Sequence, residues 1–339
     1  MGRITIADIA QRAGVSTGAV SYALNNRPGV SKETRARILG VAADLGWEPS
    51  SAARSLSGAR TETVGLVLAR HPSTLGVESF YMQFIAGIES ELSQRSYALL
   101  LQVVPDLDAE MRAYRTWRAA RRVDGVVMVD PRIDDPRVAL LAGEGALPAV
   151  VVGDTTLAGG LTNVWTDDAA AMRESVRYLS AVGHRRIARV SGVQSYGHTF
   201  IRDEAFREES AALGVEGQIV RTDYTPGQGA TVTRALLTSA DRPSAMIYDN
   251  DVMALAGLGV ASELGLQVPQ DLSIIAWDDS PLCEATYPRL SALSHDVTSF
   301  GAHVARRLFA VIDGAEAGSF LDSTPTLRPR GTTARLAAG

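Results

Sequence analysis

The 339-residue chain exceeds the usual size of one hydrophobic core, so two or three domains are expected. Its 46% hydrophobic and 21% charged residues are typical of a soluble globular protein. The single cysteine, Cys283, excludes a disulfide framework and a cysteine-based metal site, and the absence of a run of about 18 apolar residues excludes a membrane-spanning helix.

The net charge of −5 is unevenly distributed along the chain. Residues 1–60 contain eight Lys and Arg against four acids, a net charge of +4, which leaves −9 for the rest. A cationic module attached to an anionic body indicates an anionic polymer as the partner of the small module. The N-terminus enters a helical pattern at once, without the apolar core of a signal peptide, so we expect a cytoplasmic protein.

The first 48 residues predict three short helices. Thr5 begins the first with a capping-box-like pattern and Gly14 ends it, whereas Ser16 and Ser31 are suited to cap the second and third. The outer face of the second helix carries short or hydrogen-bonding side chains, which suit base edges in the major groove of DNA: Thr17, Gly18, Ser21, Tyr22, Asn25 and Asn26. The alternative is a generic three-helix bundle, which would more often expose Lys and Glu there.

Residues 50–58 predict a helix that is too short to be stable alone. Pro49 precedes it, where an N-terminal proline is tolerated, and Gly58 stands where a helix stop belongs. Isolated helices below about 12–15 residues are marginal in water, so we expect this one to form only when something docks against it. The alternative is an ordinary linker of small residues.

From Thr63 onward, strand-like runs alternate with amphipathic helices, which is typical of doubly wound parallel sheets. The predicted strands cover 64–69, 98–103, 125–129, 149–152, 187–190, 218–221, 245–248 and 272–276, with helices around 84–92, 170–179, 203–213 and 252–264. No Gly-x-Gly-x-x-Gly or phosphate-loop motif is present, so no nucleotide cofactor is expected. The histidines show no metal-ligand spacing, and His184, in a turn before a strand, is interpreted as structural.

Several polar residues follow predicted strands, where ligands of such sheets bind. They are Tyr224, Asp249, Asn250, Asp251, Asp278 and Asp279, while Arg202 opens a predicted helix after a long loop. Carboxylates, an amide, a guanidinium and an aromatic face suit a polyhydroxylated ligand. Asp203, Asp251 and Asp279 could instead be helix N-caps.

Ordered motifs extend over nearly the whole chain. They include Ile4-Thr5-Ile6-Ala7-Asp8-Ile9-Ala10, Ala13-Gly14-Val15-Ser16, Leu45-Gly46-Trp47 and Ala53-Arg54-Ser55-Leu56, then Asp124-Gly125-Val126-Val127, Val182-Gly183-His184-Arg185-Arg186, Asn250-Asp251, Asp278-Asp279 and Pro288-Arg289-Leu290. Together they resemble the LacI/GalR family of bacterial transcription repressors. The resemblance implies an α/β chain: a helix-turn-helix DNA-binding domain, a hinge helix, and two doubly wound parallel-sheet subdomains like those of periplasmic binding proteins.

The resemblance also implies domain bounds. Residues 1–48 would form the DNA-binding domain, 49–60 the hinge helix and linker, and 61–339 the effector-binding and dimerisation domain. The latter would divide into an N-subdomain, about 61–160 plus 292–322, and a C-subdomain, about 161–291 plus 323–339.

For DNA, the resemblance places the second helix in the major groove. Thr17, Gly18 and Tyr22 would then read bases, and phosphates would be held by Thr5, Ser16, Ser21, Asn25, Ser31 and Thr34. The 50–58 segment corresponds to a hinge helix that folds on operator DNA, pairs with its dimer mate and inserts a leucine into the minor groove. Leu56 occupies that place, beside Ala53 and Arg54.

For the effector, the resemblance makes Arg202, Asn250 and Asp278 ligand contacts and has Tyr224 stack on the ligand. Phe80 and Tyr81 would supply the opposite wall. The chain is thus interpreted as a homodimeric repressor of a palindromic operator, controlled by a small molecule, expected to be a sugar. A nucleobase or nucleoside corepressor is the alternative.

Other interpretations fit less well. A solute-binding protein would need a signal peptide and no basic head, and no set of residues supports an enzyme. Neither a cofactor, a metal nor a membrane partner is expected. The tail after residue 328 has no heptad run, so a coiled-coil tetramer is not expected either.

Overall fold

The computed structural model describes residues 4–24, 27–47, 60–70 and 79–336. The chain divides into two compact units, one through Thr61 and the other from Glu62 onward. Among the described residues, no helix is long and apolar enough to cross a membrane.

The described part of the N-terminal unit forms three helices, as predicted. They are α1 (Ile6–Ala13), α2 (Thr17–Leu24) and α3 (Lys32–Asp44). Thr5 caps α1 in a capping box, and Gly14 ends it with a φ of 65°, a left-handed conformation that glycine adopts without strain. Ile9, Val20 and Ile38, one from each helix, are fully buried at the centre of the unit's core.

The second unit alternates strands and helices. Its first half contains β1 (Thr63–Ala69), α4 (Ser79–Gln94), β2 (Ala98–Val104), α5 (Leu107–Ala119), β3 (Gly125–Met128), α6 (Pro136–Ala142), β4 (Ala149–Val152) and β5 (Thr162–Thr166). Its second half contains α7 (Asp168–Ala181), β6 (Arg186–Ser191), α8 (Gly197–Ala212), β7 (Glu216–Arg221), α9 (Pro226–Leu237), β8 (Ala245–Tyr248), α10 (Asp251–Glu263), β9 (Ser273–Trp277), α11 (Pro281–Ala285), β10 (Ser291–Ser294), α12 (Val297–Ile312), β11 (Ser319–Ser323) and β12 (Thr326–Arg328).

The strands of the second unit pair into two six-stranded sheets. The first has the order β11-β5-β4-β3-β1-β2 and defines the first subdomain, and the second has the order β12-β10-β9-β8-β6-β7 and defines the second subdomain. Every neighbouring pair is parallel except β10 with β12. Buried clusters line both faces of each sheet, so the predicted doubly wound α/β fold is confirmed.

The chain passes between the subdomains after β5, after β10 and after β11. Two of the predicted limits between the N-subdomain and the C-subdomain therefore differ from the structure by a few residues. Residues 162–166 were assigned to the C-subdomain, but β5 pairs with β4 in the first sheet. Residues 292–294 were assigned to the N-subdomain, but β10 pairs with β9 in the second. In both places one further strand joins its sheet before the chain crosses.

Two glycines bring α12 against α4 after the second crossing. A Cβ atom on Gly87 would lie 2.0 Å from the carbonyl oxygen of Thr298, and one on Gly301 would lie 2.1 Å from the carbonyl oxygen of Phe84. Only glycine permits so close a contact between helix backbones. The helix that follows the crossing is therefore fixed rigidly to the first subdomain.

Candidate ligand cleft and nucleic-acid interface

A cleft of about 150 Å³ lies between the two subdomains, at the carboxyl ends of strands from both sheets. All six residues predicted to contact an effector line it: Phe80, Tyr81, Arg202, Tyr224, Asn250 and Asp278. The fold thus brings together residues that are up to about 200 positions apart in the sequence. Their contact with a ligand remains a prediction.

Arg202, on α8, is held from three sides at the cleft wall. Its Nε donates to Asp168 at 2.8 Å, and its Nη1 lies 3.4 Å from the Asp249 carboxylate. Its guanidinium stacks on the Trp277 ring, 3.6 Å from the ring centroid. Burial opposes the charge, but Asp168 and Asp249 hold the pKa of Arg202 above its ordinary value. The guanidinium is therefore charged and fixed in orientation.

A buried ionic network lies beneath Arg202. Arg189, on β6, donates from Nε to Asp203 at 2.8 Å and from Nη2 to Asp249 at 3.0 Å, and it is fully buried. Asp249 also accepts the backbone N–H of Gly192 at 2.8 Å. Burial alone would raise the pKa of Asp249, but Arg189 and Arg202 lower it below the ordinary range. Asp249 therefore stays ionised and supports Arg202 from behind.

Asn250 has a structural role at the end of the cleft. Its amide oxygen accepts a backbone N–H from the first turn of α10 at 2.9 Å, so Asn250 caps that helix. Its amide nitrogen donates to the carbonyl of Tyr224 at 3.1 Å. Asn250 therefore fixes Tyr224 relative to α10.

The three predicted alternatives for N-caps are wrong. Asp251 is the first residue of α10, whose cap is Asn250. Asp279 pairs with Arg330 at 2.7 Å, and the cap of α11 is Ser280. Asp203 lies inside α8 and pairs with buried Arg189. Asp203 and Asp279 instead form ion pairs with arginines of other segments, and Asp251 lies within the helix that it was predicted to cap.

The first-subdomain wall contains two residues that sequence reasoning missed, Arg70 and Asp130. Arg70 follows β1, and its Nη2 lies 2.9 Å from Asp130, which follows β3. Tyr81 donates its hydroxyl to the same carboxylate at 2.6 Å. Burial would raise the pKa of Asp130, but Arg70, His198 and Tyr81 together lower it. The rule that polar residues follow strands, applied to β1 and β3, could have found both.

Tyr224 is buried at the opposite wall in a left-handed backbone conformation, φ 69°. Its hydroxyl lies 2.8 Å from His198 Nε2 and 2.9 Å from Thr199 Oγ1. Burial and then Arg202 lower the pKa of His198 to about 4, so this imidazole is neutral near pH 7. Tyr224 is thus already hydrogen-bonded within the protein.

His295, another residue without a predicted role, lies in the second crossing and lines the cleft. Among the described residues, no group hydrogen-bonds its buried Nδ1. His184, by contrast, is fully buried and bridges the hydroxyls of Ser244 and Ser273 at 2.9 and 3.0 Å, so its predicted structural role is confirmed.

Those predicted DNA-contacting residues that the structure describes are either exposed or half-buried. Thr17, Gly18 and Tyr22 are exposed on α2, and Tyr22 is 46% exposed. Ser16 and Ser31 accept backbone N–H groups at the starts of α2 and α3. Ser21 and Thr34 are half-buried, and Thr5 is exposed at the start of α1. Helix N-termini of this kind favour phosphate groups.

Asn25, Ala53, Arg54, Leu56 and the hinge helix at 50–58 lie outside the described residues.

These features define a class. A small helix-turn-helix unit with an exposed second helix precedes a two-subdomain body with a central cleft, which is the organisation of a ligand-controlled DNA-binding regulator.

Comparison with known families and proteins agrees with that class. Residues 5–50 match the model for bacterial regulatory proteins of the lacI family, and residues 176–333 match a periplasmic binding protein-like domain. The HTH-type transcriptional repressor PurR of Escherichia coli O139:H28 is 31% identical over 301 residues, covering 88% of this chain and 87% of that protein. PurR of Salmonella paratyphi B is 29% identical over 335 residues, 97% of each chain.

Solved structures of three regulators align with 82%, 97% and 99% of this chain. A LacI family regulator from Bifidobacterium animalis is 39% identical, with a TM-score of 0.76, and covers 82% of this chain and 100% of that one. A CelR regulator in complex with cellobiose is 28% identical, with a TM-score of 0.74 and coverage of 97% and 100%. The lac repressor dimer bound to operator and the anti-inducer ONPF is 25% identical, with a TM-score of 0.85 and coverage of 99% and 100%.

The chain belongs to the LacI family of bacterial regulatory proteins. It is a DNA-binding transcriptional repressor whose partners are operator DNA and a small-molecule effector.

Proposed function

We propose that the effector is a neutral carbohydrate bound between the two subdomains. The observation that carries this proposal is the pairing of the cleft's arginines. The two arginines among the described lining residues are each paired with a carboxylate of the protein, Arg70 with Asp130 and Arg202 with Asp168. An anionic ligand would have to compete with those carboxylates. Hydroxyl groups can instead donate to the carboxylates and accept from the guanidinium groups without separating the pairs.

The aromatic rings of the second-subdomain wall favour a sugar over a nucleobase. Arg202 covers the Trp277 ring at 3.6 Å, and Arg70 lies 5.2 Å from the centroid of the Tyr224 ring. A nucleobase that stacked on either ring from the side of the guanidinium would have to displace that cation. The polar edges beside these rings remain suited to hydroxyl groups. The similar CelR regulator, described in complex with cellobiose, supports the same choice.

The size of the cleft favours a ligand with a single sugar ring. Its volume of about 150 Å³ is similar to that of an engineered cavity that holds benzene. In the conformation described, the cleft therefore accommodates a monosaccharide unit more readily than an oligosaccharide.

Arg202 links the cleft to the first crossing between the subdomains. Its partner Asp168 starts α7 directly after that crossing, and Thr166, at the end of β5, donates to the same carboxylate at 2.7 Å. A ligand that binds Arg202 would therefore act on the segment about which the subdomains turn. A coupling of about 1–3 kcal/mol would change operator affinity roughly 5- to 150-fold.

We place the repressor on DNA as a homodimer, since two helix-turn-helix units read a palindrome. Two exposed apolar features suit a second copy of the chain: Leu101 and Val103 on the edge strand β2, and Tyr287, which is 99% exposed. Because the protein is a DNA-binding repressor, we place it in the cytoplasm and propose no catalytic role for it.

A ligand screen tests the proposed effector. The purified full-length chain is heated with monosaccharides, disaccharides including cellobiose, nucleobases and nucleosides. A sugar present at 100 times its Kd is expected to add about 2.7 kcal/mol of stability and so raise the Tm. The same sugar should change operator affinity in a fluorescence-anisotropy titration, and the direction of the change separates induction from corepression. A nucleobase that raises the Tm when no sugar does would contradict the proposal.

We also propose that residues 50–58 act as the hinge helix and that Leu56 inserts into the minor groove. Leu56→Ala should weaken binding to a specific operator about 10- to 100-fold and leave effector affinity unchanged, because the wedge contacts only DNA. Leu39→Ala, at an exposed leucine of α3, is the matched control and should bind as the wild type does. Equal operator affinity of the Leu56 and Leu39 variants would remove the wedge role.

A further inference from the structure

Arg70 is fixed within the first subdomain. It follows β1, and its guanidinium contacts Asp130 through Nη2 at 2.9 Å and Nε at 3.0 Å. Tyr81 binds the same carboxylate and also places its ring 5.6 Å from the guanidinium. The side chain of Arg70 is thus held in one position by the subdomain to which it belongs.

The same guanidinium contacts the second subdomain. It lies 4.7 Å from the ring centroid of Tyr196, just before α8, and 5.2 Å from that of Tyr224, just after β7. Both distances fall within the range of cation–π attraction. The two rings are nearly parallel, 6.3 Å apart with an angle of 25°. Arg70 is therefore attached to one subdomain by an ion pair and to the other by two aromatic rings.

Backbone contacts across the cleft stand beside this cluster. The N–H of Gly197 donates to the carbonyl of Pro131 at 2.8 Å, and Arg132 pairs with Tyr196 as an isolated antiparallel bridge. A Cβ atom on Gly197 would lie 2.1 Å from a methyl carbon of Leu157, so the second subdomain approaches the first closely at this point. The cluster thus lies where the two subdomains touch.

We propose that Arg70 is a positioning residue that latches the two subdomains in the closed arrangement. Opening the cleft would separate the guanidinium from Tyr196 and Tyr224 while leaving its pair with Asp130 intact. A planar guanidinium suits this role better than an ammonium group, because it can stack on rings while its edge binds a carboxylate. The closed fraction of the free protein therefore depends on Arg70.

The latch has a consequence for the proposed effector, and this consequence rests on the proposed function. A ligand that binds the closed cleft has an apparent affinity reduced by the fraction of molecules that are open. Arg70, which also lines the cleft, would thus set effector sensitivity through closure in addition to any hydrogen bond that it makes to the ligand.

The test measures closure without any ligand. Cysteines introduced at Ala119, the last residue of α5, and at Ala240, in the turn after α9, carry a donor and an acceptor dye for single-molecule energy transfer in the full chain; both positions are exposed. The native Cys283 is buried. Arg70→Met should raise the ratio of open to closed molecules about 5- to 30-fold, the effect of losing cation–π contacts. Tyr196→Leu should do the same from the opposite side.

Two control variants make the outcome specific. Arg95→Met removes a similar cluster inside the first subdomain, where the guanidinium lies 4.2 Å from the Phe309 centroid and 3.8 Å from Asp313. It should leave the distance distribution unchanged, as should Tyr196→Phe, which keeps the ring. A distribution for Arg70→Met and Tyr196→Leu that matches the wild type would overturn the latch. Because no sugar is added, this result is independent of the ligand screen.

Discussion

Arg189→Met is expected to lower the free energy of unfolding by about 3–5 kcal/mol. Arg189 is fully buried and is paired with Asp203 and Asp249. Methionine is shorter but keeps the apolar stem of the side chain, so the loss is chiefly of the guanidinium's charge and hydrogen bonds. Two buried carboxylates would lose a shared cation, and removing one partner of a buried ion pair leaves an uncompensated charge. Urea denaturation of the full chain, followed by tryptophan fluorescence, measures the change.

Arg177→Met is the matched control for that measurement. Arg177 also pairs with a carboxylate of α8, Glu209, at 2.8 Å, but its side chain is 62% exposed. Solvent screens an exposed ion pair and leaves it little net stabilisation, so this variant should unfold near the wild-type midpoint. If both variants lose equal stability, the buried network does not hold the second subdomain together in the way that its geometry indicates.

The sequence predicts the centre of each sheet better than one of its two edges. The runs that became β1, β3, β4 and β8 are rich in β-branched and apolar residues, and each was predicted within one or two residues. The strands that were missed are short and contain polar or small residues: β5 (TNVWT), β10 (SALS), β11 (SFLDS) and β12 (TLR). Each is held by pairing with its neighbour, which a local pattern does not reveal. The predicted crossings were misplaced for the same reason.

The cleft shows a similar division. Asn250 and Asp278 stand out in the sequence because they follow apolar strands. Arg202 follows no strand directly, and the family resemblance is what assigned it to the ligand. Arg70 and Asp130 were not found, since their meaning depends on β1 and β3 being neighbours in the sheet across 60 positions of sequence. The residue that caps α10 could not be predicted from the sequence either. Asn250 rather than Asp251 caps α10 because its backbone is extended, with a φ of −152°, and this conformation is not encoded by residue type alone.

Arg202 combines two roles that substitution can separate. Its guanidinium faces the cleft, yet it also neutralises Asp168 and Asp249. Asp249 retains Arg189 and the Gly192 N–H when Arg202 is removed, so the network beneath the cleft keeps most of its contacts. A neutral, polar substitution at Arg202 should therefore affect ligand binding more than folding.

Arg202→Gln is expected to abolish the response of operator binding to the effector. A hydrogen bond to a charged group contributes about 1.5–3 kcal/mol, and losing more than one such contact should weaken ligand binding at least about 100-fold. Operator affinity without ligand should stay near wild type, because the DNA-binding helices belong to a separate compact unit. Fluorescence anisotropy of labelled operator, titrated with and without the sugar identified in the screen, measures both quantities. Arg173→Gln removes an exposed pair with Glu208 in the same subdomain and should respond normally. If Arg202→Gln responds at the same sugar concentration as Arg173→Gln, Arg202 does not contact the effector.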